Sequence, residues 1–153
     1  MDEPIKFYSK SKEYSEFSNF HEAQFELDGT IWKTVEHYFQ YQKFPGDASL
    51  QERIFAAETP AIAKRLGRTK SRFFREDWNE QRDVVMKQAV LAKFQQNPPL
   101  QKLLFDSYPR PIIFADPNDA FWGYGRTKAG QNKLGRMLMD YRNTHVGMEA
   151  ING

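Results

Sequence analysis

Helix start and stop signals recur at short intervals along this chain, and they limit what it can fold into. Thr34 suits an N-cap and Pro45-Gly46 is a stop, so a helix is expected to about Phe44. His37 stands at the third helical position, where a capping box would carry Glu. Leu50 to Glu58 reads as helical. Thr59-Pro60 repeats the start signal, with Thr as cap and Pro at the first helical position, and Gly67 marks the stop. Asp77-Trp78-Asn79-Glu80 resembles a capping box opening a long helix to about Asn97. Val85, Ala89 and Ala92, with Val84, Met86, Val90 and Phe94, give it a broad apolar face. Asn97-Pro98-Pro99 ends that helix and begins a short one through Phe105. Leu134, Met137, Leu138 and Tyr141, spaced i, i+3, i+4, i+7, place a last helix from about Gln131 to Arg142.

Strand signals are few. Lys6 to Ser9 reads as a short strand and Pro111 to Ala115 as a short buried one. Ala23 to Leu27 alternates, Asp28-Gly29 is a hairpin turn signal, and Thr30 to Lys33 continues as a strand. The expected class is α+β, a compact and mostly helical single domain with a few short strands. No internal repeat, linker or low-complexity segment divides it. One domain over 1–153 is expected, with a core at about 6–143 and a tail at 144–153.

Composition narrows the function classes. The chain of 153 residues is 40% hydrophobic and 27% charged, a globular mix large enough to bury a core. The absence of cysteine excludes disulfides, thiolate nucleophiles and cysteine-based zinc sites. No apolar run approaches membrane-spanning length, and Met1-Asp2-Glu3-Pro4 lacks a signal peptide's basic and apolar regions. A cytoplasmic location is expected, or a nuclear one in a eukaryote, with no membrane partner. A net charge of +2 is low for a dedicated nucleic-acid binder. The basic stretch Lys64, Arg65, Arg68, Lys70, Arg72 and Arg75 can meet phosphates, but it reads first as a solvated face. Aromatic residues, at 15%, can fill the core or stack on a flat ligand.

Thr34 to Phe44 is the most informative segment. Glu36, Gln40 and Lys43 fall at i, i+4 and i+7 and share one helix face. A carboxylate and an amine two turns apart can reach one ligand: Glu36 moves protons, and a desolvated Lys43 titrates low enough to act as a nucleophile. Periodicity alone fits a solvated helix at least as well. His37 has no second His four residues on, and the other histidines, His21 and His145, are scattered. A hydrogen-bonded, half-buried ring is expected there rather than a zinc ligand.

A second cluster runs from Ala115 to Gly125. Asp119 can accept sugar hydroxyl bonds or stabilise positive charge, and Trp122 offers a stacking face. Gly123 and Gly125 let backbone approach a ligand, where phosphate oxygens can meet N–H groups. Asp116-Pro117-Asn118-Asp119 is equally a plain turn. In Phe17-Ser18-Asn19-Phe20, Asn19 can bond a ribose or phosphate or serve as a turn residue. Trp78 covers a ligand base or staples its helix start.

Taken together these blocks resemble the NADAR (YbiA-like) family of N-glycosidases linked to NAD and ADP-ribose metabolism. The resemblance runs from about Phe7 to Arg142. It rests on Phe7-Tyr8, Phe17 to Phe20, Asp28-Gly29 with Trp32, Thr34 to Gln40, and Lys43-Phe44. It continues through Trp78, Arg82 to Met86, Ala92 to Phe94, Asp119, Trp122 to Gly125, Asn132 to Gly135 and Leu138-Met139. It implies a mostly helical α+β fold and an N-glycosidase that needs no metal or organic cofactor. Two substrate classes are implied: ADP-ribose on guanine bases of nucleic acid, and ribosylated pyrimidine intermediates of early riboflavin synthesis. Catalytic roles are implied for Lys43, Glu36 and Asp119. Substrate contacts are implied for Phe7, Ser18, Asn19, Gln40, Trp78, Trp122, Gly123 and Gly125. One departure stands out: Phe114 and Asp116 occupy Ile113 to Pro117 where relatives read like Val-Glu-Ala-Ser-Pro, with Phe114 at the Glu position.

The expected chemistry is attack of a neutral Lys43 on the anomeric carbon, giving a Schiff base that water releases. Glu36 shuttles protons and Asp119 holds ribose hydroxyls. A second scheme uses Glu36 or Asp119 as general base on water, with Lys43 holding phosphate. A reading of another class is a non-catalytic ADP-ribose-binding module, and a third is a nucleic-acid scaffold using Lys64 to Arg75. No obligate protein partner is inferable.

Overall fold

The computed structural model describes residues 2–152, with side chains through Met148. The closely spaced helix signals yield mostly short helices: α1 Val35–Tyr41, α2 Ala48–Ala56, α3 Pro60–Leu66, α4 Trp78–Gln96, α5 Pro98–Asp106 and α6 Lys133–Asn152. Four three-residue strands accompany them: β1 Ile5–Phe7, β2 Phe25–Leu27, β3 Thr30–Trp32 and β4 Ile112–Phe114. This is the expected α+β class. No helix among the described residues is long and apolar enough to cross a membrane. The chain divides into two units, Met1–Ser18 with Pro98–Gly153, and Asn19–Asn97.

In the first unit β1 and β4 pair in parallel, with Ile5 opposite Ile112 and Phe7 opposite Phe114. The pair is only two strands wide, so β4 has an unpaired edge, and the Asn132 side chain bonds there. Its Oδ1 accepts from Phe114 N at 2.9 Å and its Nδ2 donates to Ile112 O at 2.9 Å. Gly135 allows this closeness, because a Cβ there would stand 2.3 Å from the Ile112 carbonyl. Ile5, Phe7, Phe17, Leu104, Ile112, Leu134 and Leu138 form the core. The expected last helix ends at about Arg142, whereas α6 continues to Asn152, into the segment expected as a tail. Arg142 is buried. It donates to Ser107 Oγ, the Arg110 carbonyl and Asn143 Oδ1, which satisfy a guanidinium with no carboxylate partner among the described residues.

In the second unit β2 and β3 form a hairpin in which Phe25 faces Trp32 and Leu27 faces Thr30. Asp28 and Gly29 both have positive φ, 55° and 75°, the geometry a two-residue hairpin turn demands. Helix α1 packs against α2, α3 and α4. Thr34 caps it, accepting from His37 N. Asp47 caps α2 through Leu50 N, so α2 begins two residues earlier than the sequence suggests. Thr59 caps α3 as expected. At α4 the expected capping box does not form: the Asp77 carboxylate instead takes two bonds from Arg75, both at 2.9 Å. Val84, assigned above to the apolar face of α4, is 49% exposed, while Val85, Met86, Ala89, Val90, Ala92 and Phe94 are buried. Phe44, Leu50, Ile54, Ala57 and Ala63 form a further apolar cluster joining α2 and α3 to the end of α1.

Candidate active site

Helix α1 is the unusual element. Six of its seven residues, Val35 to Gln40, are buried, and three of those, Glu36, His37 and Gln40, are polar. A solvated helix is therefore ruled out. Buried polar groups persist only when bonded. His37 is 1% exposed, more buried than expected, and both ring nitrogens are engaged. Nε2 lies 2.9 Å from the Ala57 carbonyl, which can only accept, so Nε2 carries the proton. Nδ1, 2.7 Å from Thr34 Oγ1, then accepts the hydroxyl hydrogen. Burial pushes the His37 imidazole below its ordinary 6.5. The Ala57 bond works against that, Lys33 adds to it, and Glu22 opposes it. Tyr38 donates to Asp28 Oδ2 at 2.8 Å. His37 and Tyr38 thereby tie α1 to its surroundings.

Glu36 lies in the first turn of α1, where the helix dipole favours a carboxylate. Its N–H donates to Asn19 O at 3.2 Å, so the polar loop seats the helix start. Gln40 Nε2 donates to Glu36 Oε1 at 2.7 Å. Lys43 lies outside the helix, contrary to the i, i+7 reading. α1 ends at Tyr41, and a tighter turn follows, in which Lys43 N bonds Gln40 O at 3.2 Å. The amine still turns toward the same neighbourhood. Nζ reaches the Gly67 carbonyl at 3.5 Å, its sole hydrogen-bond partner among the described residues. It also faces the rings of Phe39 and Trp78, at 5.7 and 6.0 Å from their centroids.

Two effects oppose each other on that amine. Aromatic faces favour the charged form, but 5.7 to 6.0 Å is the outer limit of that attraction. Burial is the larger influence and pushes the Lys43 ammonium below its ordinary 10.5. The Glu36 charge partly restores it, and Arg68 and Lys64 lower it further. The outcome is an amine held below the usual lysine range, next to a buried carboxylate and within reach of two cations.

The remaining predicted residues separate into groups. Trp78 is 6% exposed and packs on Phe39 at 5.0 Å, so it staples the start of α4 and walls the Lys43 amine. Asn19 Nδ2 donates to Met86 Sδ at 3.4 Å. Gln40, expected to touch substrate, is 4% exposed and turned onto Glu36. Phe7, expected likewise, is fully enclosed, stacked on Phe114 at 5.3 Å and edge-on to Phe17 at 5.8 Å. It is a core ring of the first unit, as a strand residue paired to β4 must be. Ser18 is buried in that unit too.

Asp119 shapes the 115–125 loop. Its Oδ1 accepts from Phe121 N at 3.0 Å and Trp122 N at 2.8 Å. The Trp122 ring is partly exposed, edge-on to Phe121 at 4.7 Å. Gly123 and Gly125 do not open the loop to a ligand as expected. A Cβ at Gly123 would meet the Phe114 and Asp119 carbonyls at 2.7 and 2.9 Å, and Gly125 N donates to Asp116 O at 3.2 Å. The two glycines, Gly125 with φ of 71°, let this loop fold against the chain's own backbone.

Sequence reasoning missed Gly67 and Phe39. Gly67 reads as a helix stop and nothing more, and only its carbonyl, facing the Lys43 amine, gives it a place in the site. Phe39 is one aromatic among many in the sequence.

The elements, their order and their short strand pairs define an α+β fold shared with a solved protein. The structure matches the NMR structure of the Escherichia coli protein YbiA with a TM-score of 0.86 at 38% identity, covering 100% of this chain and 90% of that one. The NADAR domain model matches residues 6–144, and the chain belongs to the NADAR family. The N-glycosidase YbiA of Escherichia coli K12 is 41% identical over 142 residues, 93% of this chain and 88% of that protein. An N-glycosidase of Nostoc punctiforme is 38% identical over 97% of each chain. A protein of Vibrio vulnificus named for riboflavin biosynthesis is 39% identical over 93% of this chain but only 38% of its own length.

Proposed function

We propose that the chain is an N-glycosidase, as the relatives from Escherichia coli and Nostoc punctiforme are named, and that it removes ADP-ribose from guanine bases of nucleic acid through a Lys43 Schiff base. The observation that carries the chemistry is the Lys43 amine: partly buried, below its ordinary titration range, and held by one long hydrogen bond beside Glu36. An amine so placed is available as a nucleophile at lower pH than an exposed lysine. The family resemblance supplies the substrate class. Arg68 and Lys64, close enough to influence the amine, suit a phosphate-bearing ligand.

The steps balance as a hydrolysis. The Nζ lone pair bonds to the anomeric carbon as the bond from that carbon to the base nitrogen breaks. Glu36 supplies the proton the departing base requires. The proton that the attack leaves in excess on Nζ passes to the ring oxygen as that oxygen leaves the anomeric carbon, giving an iminium on Nζ. Water adds to the iminium carbon and gives one proton back to Glu36; the new hydroxyl proton passes to Nζ as the carbon–Nζ bond breaks, and the sugar and the free amine are released. The enzyme ends in its starting protonation state, with one water consumed.

A second reading concerns the substrate. Relatives from Vibrio vulnificus and Zea mays are named riboflavin biosynthesis proteins, and this chain spans 38% and 25% of them. The substrate of this reading, a ribosylated pyrimidine intermediate cut by the same chemistry, comes from the family resemblance, and those names fit it only loosely. One product assay separates the readings. A guanine-ADP-ribosylated oligonucleotide and the ribosylated pyrimidine are each incubated with the protein. Free ADP-ribose from the first is expected. Release from the pyrimidine alone moves the assignment to the second, and binding without release from either makes the chain a non-catalytic binding module.

A further inference from the structure

Gln40 is 4% exposed, and both ends of its amide are fixed. Nε2 donates to Glu36 Oε1 at 2.7 Å, while Oε1 is buried with no hydrogen-bond partner among the described residues. A buried acceptor left unpaired is costly, so something must hold it in that position. Rotating the amide by half a turn would bring Oε1 against the Glu36 carboxylate, oxygen facing oxygen. The carboxylate therefore selects the orientation, and the oxygen is left to point the other way.

It points at Gly67. A Cβ built on Gly67 would stand 1.9 Å from Gln40 Oε1, and its three nearest heavy atoms all belong to the Gln40 side chain. Gly67 has φ of −64° and ψ of −9°, which any residue adopts. Backbone conformation thus gives no reason for glycine here, and neither does a left-handed helix end. The only demand visible at 67 is room for the Gln40 amide. The same residue's carbonyl receives the Lys43 amine at 3.5 Å. Gln40 and Gly67 therefore sit between the two groups that do the chemistry and touch both.

We infer that Gln40 is a positioning residue that fixes the orientation of the Glu36 carboxylate, and that Gly67 is the seat that holds its amide. Gln40 does not contact substrate. This rests on the proton-transfer role proposed for Glu36.

Gln40→Met keeps the side chain's length and removes the donor. Gly67→Ala pushes the amide away while removing no polar group, and folds because the displaced atoms are a side-chain end. Both variants are expected to lower kcat by roughly 10- to 100-fold, the scale on which a small misplacement acts, with KM within about twofold of the parent. A carboxylate that has lost a donor is protonated more readily, so the limb along which kcat falls as Glu36 loses its proton moves to higher pH in both. Together the two changes cost no more than either alone, since they break one contact. A Gln40→Met enzyme with raised KM and unchanged kcat overturns the inference, as does Gly67→Ala with an unmoved falling limb. Glu36→Gln separates the two levels. If it is inactive while Gln40→Met keeps the parent profile, only this inference falls; if it keeps full kcat, the reading of the site falls as well.

Discussion

Lys43 Nζ lies 3.5 Å from the Gly67 carbonyl oxygen, at the long limit of a hydrogen bond, and burial holds the amine below its ordinary 10.5. The contact is too weak to compensate a desolvated ammonium fully, so the folded state carries a cost at neutral pH that the site uses. A group whose cationic form is disfavoured on folding lowers stability at every pH below its unfolded value. Lys43→Met should therefore raise the melting temperature, by roughly 2–4 °C if the relief is about 1 kcal/mol, while abolishing turnover. Thermal denaturation paired with a product assay checks both halves.

The same shift sets the pH dependence of the reaction. Neutral Lys43 is the reactive form, so kcat/KM should rise with pH along a limb centred below 10.5. A rate profile with no such rising limb, or one that survives in Lys43→Ala, contradicts the assignment.

His37 makes a separate prediction about stability. Its folded titration lies below the ordinary 6.5, so the unfolded chain binds the proton first as pH falls. Stability is fully present above about 6.5 and declines as pH drops below it toward the folded value, at up to about 1.4 kcal/mol per pH unit for this one group. Melting temperatures of the parent and of His37→Gln between pH 8 and pH 5 should converge toward the acid end.

Asp119 tests a loop carboxylate. Asp119→Ala removes the acceptor for Phe121 N and Trp122 N and should cost roughly 1–3 kcal/mol. Asp119→Asn keeps an acceptor oxygen and should melt within about 2 °C of the parent, a difference that denaturation measures directly.

Much of the fold was legible because its punctuation is local. Thr59-Pro60 and Gly67 bound α3, and Asp28-Gly29 makes its hairpin, since caps and turns depend on a few adjacent residues. What failed depends on partners distant in sequence or on the length of the helix. Asp77 has the residue type of a capping box but finds Arg75. The tail continues α6 to Asn152 although its apolar repeat stops near Tyr141. In the site, Glu36 and Lys43 were visible as a pair, but for an inexact reason: the helix ends before Lys43, and a tighter turn brings the amine round. Gly123 and Gly125 looked like a ligand cradle, yet close backbone approach reads the same whether the neighbour is a phosphate or the chain's own carbonyls. Gln40 shared a face with Glu36, and spacing alone could not tell a side chain that meets substrate from one that orients its neighbour.

Borohydride reduction during turnover shows whether Lys43 forms a covalent intermediate. With a guanine-ADP-ribosylated oligonucleotide as substrate, a stable protein–sugar adduct is expected, located by peptide mass spectrometry at Lys43 and absent from Lys43→Ala. Turnover with no trapped adduct, or an undiminished adduct in Lys43→Ala, would contradict a covalent Lys43 intermediate.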